Sequence, residues 1–381
     1  MNICVIGTRG FPGVQGGVEK HCENLYPRLP AEVRTVVCRR RAYVQASPPL
    51  PGIEFVDLPS TRIKGWEAAF HSFLATLAAI RRRPDLVHVH NIGPGIFSPL
   101  VRLAGIPVVL TFHSPNYEHQ KWGWLARRLL KLSEYVALRA ANAVVFVNPV
   151  QMQKYDGAVR RKSQFIPNGV QAAEPDEATD WLGRFGLEAD KYILAVGRIT
   201  PEKGFGLLID AWRRLPPDRP VLVIAGGVDN DDGHLRELKA RAGDAPVVFA
   251  GHLTEGPLAQ LYRHARLFVL SSRNEGFPLV LLEAMAAGCD VLASDLPATR
   301  LVDLPPEDYF RSDEPDDLAA KLQQKLSRTK PVRIYDLKAF DWDAIAARTV
   351  AVYREVIRTG GPEKSRAGQG ADPASTCSSR C

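Results

Sequence analysis

No stretch of 18 apolar residues occurs in the 381-residue chain, so no membrane-spanning helix is expected. The amino terminus, Met1-Asn-Ile-Cys-Val-Ile-Gly7, lacks the charged flank and cleavage site of a signal peptide and reads as a strand running into a turn. None of the six cysteines (Cys4, Cys22, Cys38, Cys289, Cys377, Cys381) forms a C-x-x-C pair. That spacing argues against a zinc or redox site, and reduced thiols in a cytosolic protein are expected. Also missing is G-x-G-x-x-G: the glycines of Gly7-Thr-Arg-Gly10 and Gln15-Gly16-Gly17 do not complete it, which disfavours a dinucleotide-dependent dehydrogenase. There is no recognised nucleic-acid motif and no short internal repeat.

What is present is an ordinary globular composition, 45% hydrophobic and 24% charged, in a chain long enough for two cores. The net charge of +7 suits anionic ligands or an anionic membrane face. Short apolar strand candidates alternate with helical spacing. Strands are expected at 3–6, 33–37, 53–56, 86–89, 108–111, 143–147 and 164–166, with helices at 66–82 and 125–140. After a Pro- and acid-rich break at 167–191, strands are expected at 192–196, 221–225, 247–249, 267–270 and 291–293. The fold class is therefore α/β, as two open parallel-sheet units: an amino-terminal domain over 1–170 and a second over 171–342. A helix at about 343–358 can cross back to the first, and the Gly/Ser/Ala/Pro-rich tail 359–381 is expected to be disordered. Such units bind ligands at the carboxyl ends of their strands, here in the cleft between the two.

The segment Arg273-Asn-Glu-Gly-Phe-Pro-Leu-Val-Leu-Leu-Glu-Ala-Met-Ala-Ala-Gly288 is the most informative in the chain. Pro278 suits a first helical position and Gly288 the residue beyond the helix end. The free N–H groups of that first turn can hold an anion. Glu275 precedes the helix and Glu283 lies within it. The helix is apolar nearly all round and hence buried, and a buried carboxylate needs a partner. Carboxylates accept well from sugar hydroxyls and pair poorly with phosphate, so the segment reads as a nucleotide-sugar site. Upstream, Gly197-Arg198-Ile-Thr-Pro-Glu-Lys203-Gly204 follows a strand candidate. Its arginine can fork across a diphosphate while its lysine adds a point charge. A solvated turn would carry the same cations; the acidic segment 77 residues after Arg198 favours the diphosphate.

These two motifs, in this order, resemble those of retaining glycosyltransferases of the GT-B fold, in glycosyltransferase family four, and the resemblance spans most of residues 1–358. It implies two Rossmann-like domains facing a central cleft. It implies that Glu275 contacts the donor sugar, Glu283 the ribose, and Arg198 and Lys203 the diphosphate. Phe277, Pro278, Leu279 and Val280 would meet sugar hydroxyls and phosphate through their backbone, and Gly16 and Gly17 would face the diphosphate and acceptor. His113, just past a strand, resembles the family's active-site histidine and would bond a sugar hydroxyl. The following loop resembles a subgroup that makes bacterial surface polysaccharides, with Asn116 and His119 where that subgroup often has aspartate and arginine. Asn116 and Lys121 are candidates for the acceptor side. Lys121, Arg127, Arg128 and Lys131 beside Trp122, Trp124, Leu125, Leu129 and Leu132 form a basic amphipathic helix that could touch the inner-membrane surface near a polyprenyl-linked acceptor.

The reaction implied is transfer of a sugar from a nucleotide-diphosphate sugar to a glycan or lipid-linked acceptor, with retained configuration, no cofactor and no metal. Asp229-Asn-Asp231-Asp232 contains a D-x-D but reads as a polar loop, and Arg198 and Lys203 already supply what a metal would supply. No nucleophile stands out, so attack from the leaving-group face is preferred over a covalent intermediate. The alternatives are a GT-B epimerase or phosphorylase, or a non-catalytic nucleotide-sugar-binding protein.

Overall fold

The computed structural model describes residues 1–44, 49–61, 67–115, 117, 123–171, 178–228 and 232–360. Asn116, Lys121, Asp229, Asp231, Cys377, Cys381 and the tail from 361 onward lie outside them.

Two all-parallel sheets organise the chain. The first holds β1 (Asn2–Ile6), β2 (Arg34–Arg40), β3 (Ile53–Leu58), β4 (Leu86–His90), β5 (Val108–Phe112), β6 (Ala143–Phe146) and β7 (Ser163–Phe165), in the order β3-β2-β1-β4-β5-β6-β7. The second holds β8 (Tyr192–Val196), β9 (Val221–Ala225), β10 (Val247–Gly251), β11 (Leu267–Leu270), β12 (Val291–Ser294) and β13 (Tyr309–Phe310), in the order β10-β9-β8-β11-β12-β13. Strands such as Val-Val-Leu-Thr-Phe112 are buried throughout because helices cover both faces. In each sheet the order reverses beside the first strand, at β1/β4 and at β8/β11, and such switch points open a crevice at the strands' carboxyl ends.

The helices are α1 (Gly17–Leu25), α2 (Glu67–Arg82), α3 (Ser98–Leu103), α4 (Trp124–Ala140), α5 (Pro149–Gln153), α6 (Gly157–Arg161), α7 (Asp180–Arg184), α8 (Phe205–Arg213), α9 (Gly233–Ala242), α10 (Glu255–His264), α11 (Leu279–Ala286), α12 (Pro315–Leu326) and α13 (Trp342–Gly360). α13 belongs to the first sheet's core: its Trp342, Ile345, Val352, Tyr353 and Val356 pack with Ile3, Val5, Leu25 and Tyr26. The chain thus passes between the two sheets twice, and the crossings lie side by side. Val170 bridges Asp341, the Val170 N–H donates to the Phe340 carbonyl at 2.8 Å, and a Cβ on Gly169 would sit 2.6 Å from the Trp342 ring.

The second unit contains a buried ionic quartet. The Lys325 ammonium donates to Asp290 at 2.7 Å and also contacts Asp308. Arg333 donates to Asp290 and Asp308 at 2.9 Å each. Asp290 and Asp308 are wholly buried and Lys325 nearly so. Two cations therefore balance two buried carboxylates, with Arg333 closing the group toward solvent.

Candidate functional site

The loops following β1, β5, β8 and β11 converge on one cleft of about 680 Å³, within the range of sites that enclose small ligands. The first unit contributes Gly16, Gly17, Lys20 and His113; the second contributes Arg198, Lys203, Glu275, Leu279, Val280 and Glu283. Every described residue expected at the donor or the reacting sugar lines this cleft except Pro278, while the basic helix residues from Trp124 to Leu132 lie outside it.

The cationic loop is fixed by its neighbours. Ser271 Oγ donates to the Lys203 carbonyl at 2.9 Å, and the Arg273 N–H donates to the Glu202 carbonyl at 2.8 Å. The Lys203 ammonium donates to Glu275 Oε1 at 2.6 Å, and Ser272 Oγ donates to the same oxygen at 2.6 Å. The two groups expected on diphosphate and sugar therefore pair with each other in this structure. A ligand that takes the lysine leaves the carboxylate one acceptor position richer.

The helix α11 differs from expectation at its start. Pro278 is the N-cap rather than the first helical residue, because its ψ of 74° is not helical. The N–H groups of the first turn are also not all free. Leu279 donates to the Phe277 carbonyl at 3.0 Å, and Leu281 donates to the Pro278 carbonyl at 3.0 Å. Among the described residues, the N–H groups of Gly276, Phe277 and Val280 have no hydrogen-bond partner, and all three residues line the cleft. The anion-binding capacity is thus divided between the loop before the helix, at Gly276 and Phe277, and Val280 in its first turn. At the other end, the Cys289 N–H reaches the Ala284 carbonyl and the Gly288 N–H the Met285 carbonyl, both at 3.0 Å, closing the helix in a Schellman motif.

Glu283 is only partly covered and accepts from the Tyr262 hydroxyl at 3.0 Å. Burial pushes its carboxyl above the usual range, and Lys20 acts in the opposite direction. Lys20 also pairs with Glu255 of α10, tying the two units across the mouth of the cleft.

Two glycines are required by contact. At Gly16, with φ of 150°, a Cβ would lie 2.1 Å from Glu19 Oε2, the side chain whose other oxygen accepts from the Arg9 N–H at 3.0 Å. At Gly276 a Cβ would lie 2.5 Å from the His113 carbonyl oxygen. Asn148, which the sequence did not single out, donates to the Gly276 carbonyl at 3.0 Å. His113 and the acidic segment are thus held at backbone contact distance.

Behind His113 lies a group of imidazoles that sequence analysis missed. His21, His90 and His113 are buried and offer ring nitrogens within 4.8 Å of one another, a donor set of the kind zinc or copper accepts. His90 Nδ1 and His113 Nε2 are instead spent on each other at 3.0 Å. His21 Nδ1 donates to Asn168 Oδ1 at 2.6 Å, which orients that ring. Burial lowers His21 to about 4 and takes His90 and His113 well below the ordinary histidine value, so all three are neutral at pH 7.

The model described as "Glycosyltransferase Family 4" matches residues 15–174, and that described as "Glycosyl transferases group 1" matches residues 190–328. A phosphatidyl-myo-inositol mannosyltransferase of Mycobacterium tuberculosis is 27% identical over 384 residues, covering 91% of this chain and 95% of that protein. Among solved structures, sucrose-phosphate synthase from Thermosynechococcus elongatus superposes with a TM-score of 0.79 at 23% identity, covering 94% of this chain and 99% of the other. Anabaena HepE in complex with UDP and glucose gives 0.70 at 18% identity, covering 94% and 98%. At those identities the structural likeness carries the fold, while the family models carry the membership. The chain belongs to glycosyltransferase family four and is a sugar transferase built on the GT-B fold.

Proposed function

We propose that this enzyme moves a hexosyl group, with retention and without a metal ion, from a nucleotide-diphosphate sugar to a glycan or lipid-linked acceptor in bacterial polysaccharide biosynthesis. The observation that carries this reading is the meeting of Arg198, Lys203 and three unpartnered backbone N–H groups with Glu275 and Glu283 in one cleft. Cations and N–H dipoles suit the diphosphate, where negative charge grows as the glycosidic bond breaks. Glu275 then accepts from hydroxyls of the sugar and Glu283 from the ribose. His113 bonds another sugar hydroxyl, and Gly16 and Gly17 leave room for the acceptor beside the leaving group. Asn116 and Lys121 remain the proposed acceptor-side residues. The cleft carboxylates are engaged by Lys203, Ser272, Tyr262 and the Arg9 N–H. This favours attack by the acceptor from the leaving-group face over a covalent glycosyl intermediate. Thermal-shift measurement against nucleoside diphosphates and their sugars, followed by transfer to a bacterial lipid extract, tests the reading. We expect one donor to raise Tm by mass action and to label a lipid or glycan. Conversion of the donor without any acceptor would replace transfer by epimerisation.

The acceptor side extends to a membrane-facing surface in this proposal, with the enzyme a cytoplasmic, peripheral protein. Among the described residues no helix is long and apolar enough to cross a membrane. Yet α4 exposes Trp124, Leu125, Leu129 and Leu132 on one flank, and the adjacent α2 and α3 expose Phe70, Phe73, Leu77 and Leu103. Arg127, Arg128 and Lys131 stand beside them, with the Arg128 guanidinium 5.3 Å from the Trp124 ring centre. Apolar side chains ringed by cations fit an anionic lipid surface. Sedimentation with vesicles should show binding that rises with phosphatidylglycerol content. Leu125→Ser with Leu129→Ser should reduce it about thirtyfold, each leucine contributing roughly 1 kcal/mol on partial burial. Equal sedimentation of wild type and double variant would remove the membrane from the proposal.

A further inference from the structure

Five side chains form an unbroken hydrogen-bonded line along one face of the first sheet, from α13 to the cleft. The Tyr353 hydroxyl is 2.6 Å from His88 Nδ1, and the Tyr26 hydroxyl is 2.9 Å from the same nitrogen. The Tyr26 hydroxyl is also 2.5 Å from His90 Nε2, and His90 Nδ1 is 3.0 Å from His113 Nε2. His88 Nε2 closes the inner end on Thr111 Oγ1 at 2.7 Å. Each member is buried, and only His113 reaches the cleft. The placement follows from strand geometry. His88 and His90 alternate on β4 and so face the same side, toward Tyr26 beside α1 and Tyr353 of α13.

Burial lowers His88 to about 3 and keeps His90 and His113 far down, while it raises both tyrosines. Each imidazole therefore has one N–H and one lone pair, and each hydroxyl one proton. Tyr26 and Tyr353 also bond each other, so the state of His113 turns on whether the single Tyr26 proton goes to His90 Nε2 or to another acceptor. If Tyr26 donates to His88 Nδ1, it accepts from His90 Nε2, His90 Nδ1 accepts from His113, and His113 turns a bare Nδ1 outward. If Tyr353 satisfies His88 Nδ1, Tyr26 donates to His90 Nε2, His90 Nδ1–H donates to His113 Nε2, and His113 turns Nδ1–H outward. At His88 Nδ1 the closer hydroxyl is that of Tyr353, 2.6 Å against 2.9 Å for Tyr26, and Tyr26 lies nearer His90 Nε2 at 2.5 Å, so its proton is assigned to His90. Thr111 Oγ1 is assigned as the acceptor, so that His88 carries Nε2–H and its bare Nδ1 takes a hydroxyl proton.

We propose that Tyr353, His88, Tyr26 and His90 are positioning residues that set the tautomer of His113, so that it offers a neutral N–H donor to an oxygen of the donor sugar. The proposal rests on the placement of His113 at the sugar. It gives α13, the last described helix, a role in substrate chemistry relayed along the sheet face that it covers.

The test combines imidazole nitrogen NMR on protein labelled at histidine, with His113→Gln for assignment, and steady-state kinetics. In the wild type His113 should be the Nδ1–H form and stay so between pH 6 and 8. Tyr353→Phe removes only the terminal hydroxyl; Tyr26 should then turn to His88, and His113 should convert toward the Nε2–H form. Tyr26→Phe should leave His113 a mixture of both. Both variants should lose about tenfold in kcat with donor KM within about twofold, since a ground-state packing defect would not select kcat. An Nε2–H form in the wild type, or an unchanged tautomer in both variants, overturns the relay. Unimpaired transfer by His113→Gln would instead overturn the placement of His113 at the sugar, leaving the tautomer result to judge the relay alone.

Discussion

Lys203→Ala is expected to lower kcat about 10²–10³-fold, the effect of removing one preorganised charge from a developing anion. The lysine sits on a loop pinned by Ser271 and Arg273, so its loss should not disturb the backbone. It is also the partner of Glu275 in this structure, at 2.6 Å. The substitution therefore leaves Glu275 supported by Ser272 alone. Restoring a long cation with Lys203→Arg should recover part of the rate, whereas Lys203→Met should not. Glu283→Ala should behave differently. Its carboxylate meets the Tyr262 hydroxyl and not the cationic loop, so its proposed contact with ribose is made equally in the ground and transition states. The expected result is a donor KM raised about tenfold with a smaller change in kcat. Kinetics of the purified variants with a fixed acceptor separate the two outcomes. Near-normal values for both would remove the diphosphate site from this cleft.

Lys325→Met is expected to destabilise the second unit by about 3–5 kcal/mol, the range for leaving a buried charge without its partner. Two fully buried carboxylates would then be left with Arg333 and, at 3.9 Å from Asp290, Arg328. Because no member of the quartet lines the cleft, donor affinity of the remaining folded protein should be unchanged. Pairing the substitution with Asp308→Asn removes one positive and one negative charge together. The double variant should be more stable than the sum of the singles by at least about 1 kcal/mol, as expected for groups in direct contact. Urea unfolding followed by far-ultraviolet dichroism measures this. Additive single effects would mean that the quartet is not a coupled unit.

Much of the fold is legible in the sequence because buried parallel strands are apolar runs bounded by polar loops. Tyr192–Val196, Val221–Ala225 and Leu267–Leu270 have the expected bounds. Tyr309–Phe310 was not foreseen, since two residues at a sheet edge give no periodicity to read. The start of α11 shifted by one residue because proline suits both a cap and a first turn, and only the observed ψ distinguishes them. The charged members of the cleft were visible because glycine-flanked cations and a carboxylate on an apolar helix are conspicuous. The histidine line was not, although His88-Val-His90 did contain its signal: two polar rings two residues apart share a face of the strand. Their companions Tyr26 and Tyr353 are 327 residues apart in the chain, and no local pattern links them. Asn148 and Asn168 likewise gain their roles only from the folded chain.

The paired crossings at Val170 and Asp341 have a mechanical consequence. A single connecting thread would let the two halves swivel in any direction. Two threads bonded edge to edge behave like a door hung on two pins, resisting twist and sideways slip while permitting rotation about the line that joins them. Any motion that admits donor and releases product is thereby channelled into one angular coordinate, along which the face bearing His113 and the face bearing Gly276 part and meet again in the same register.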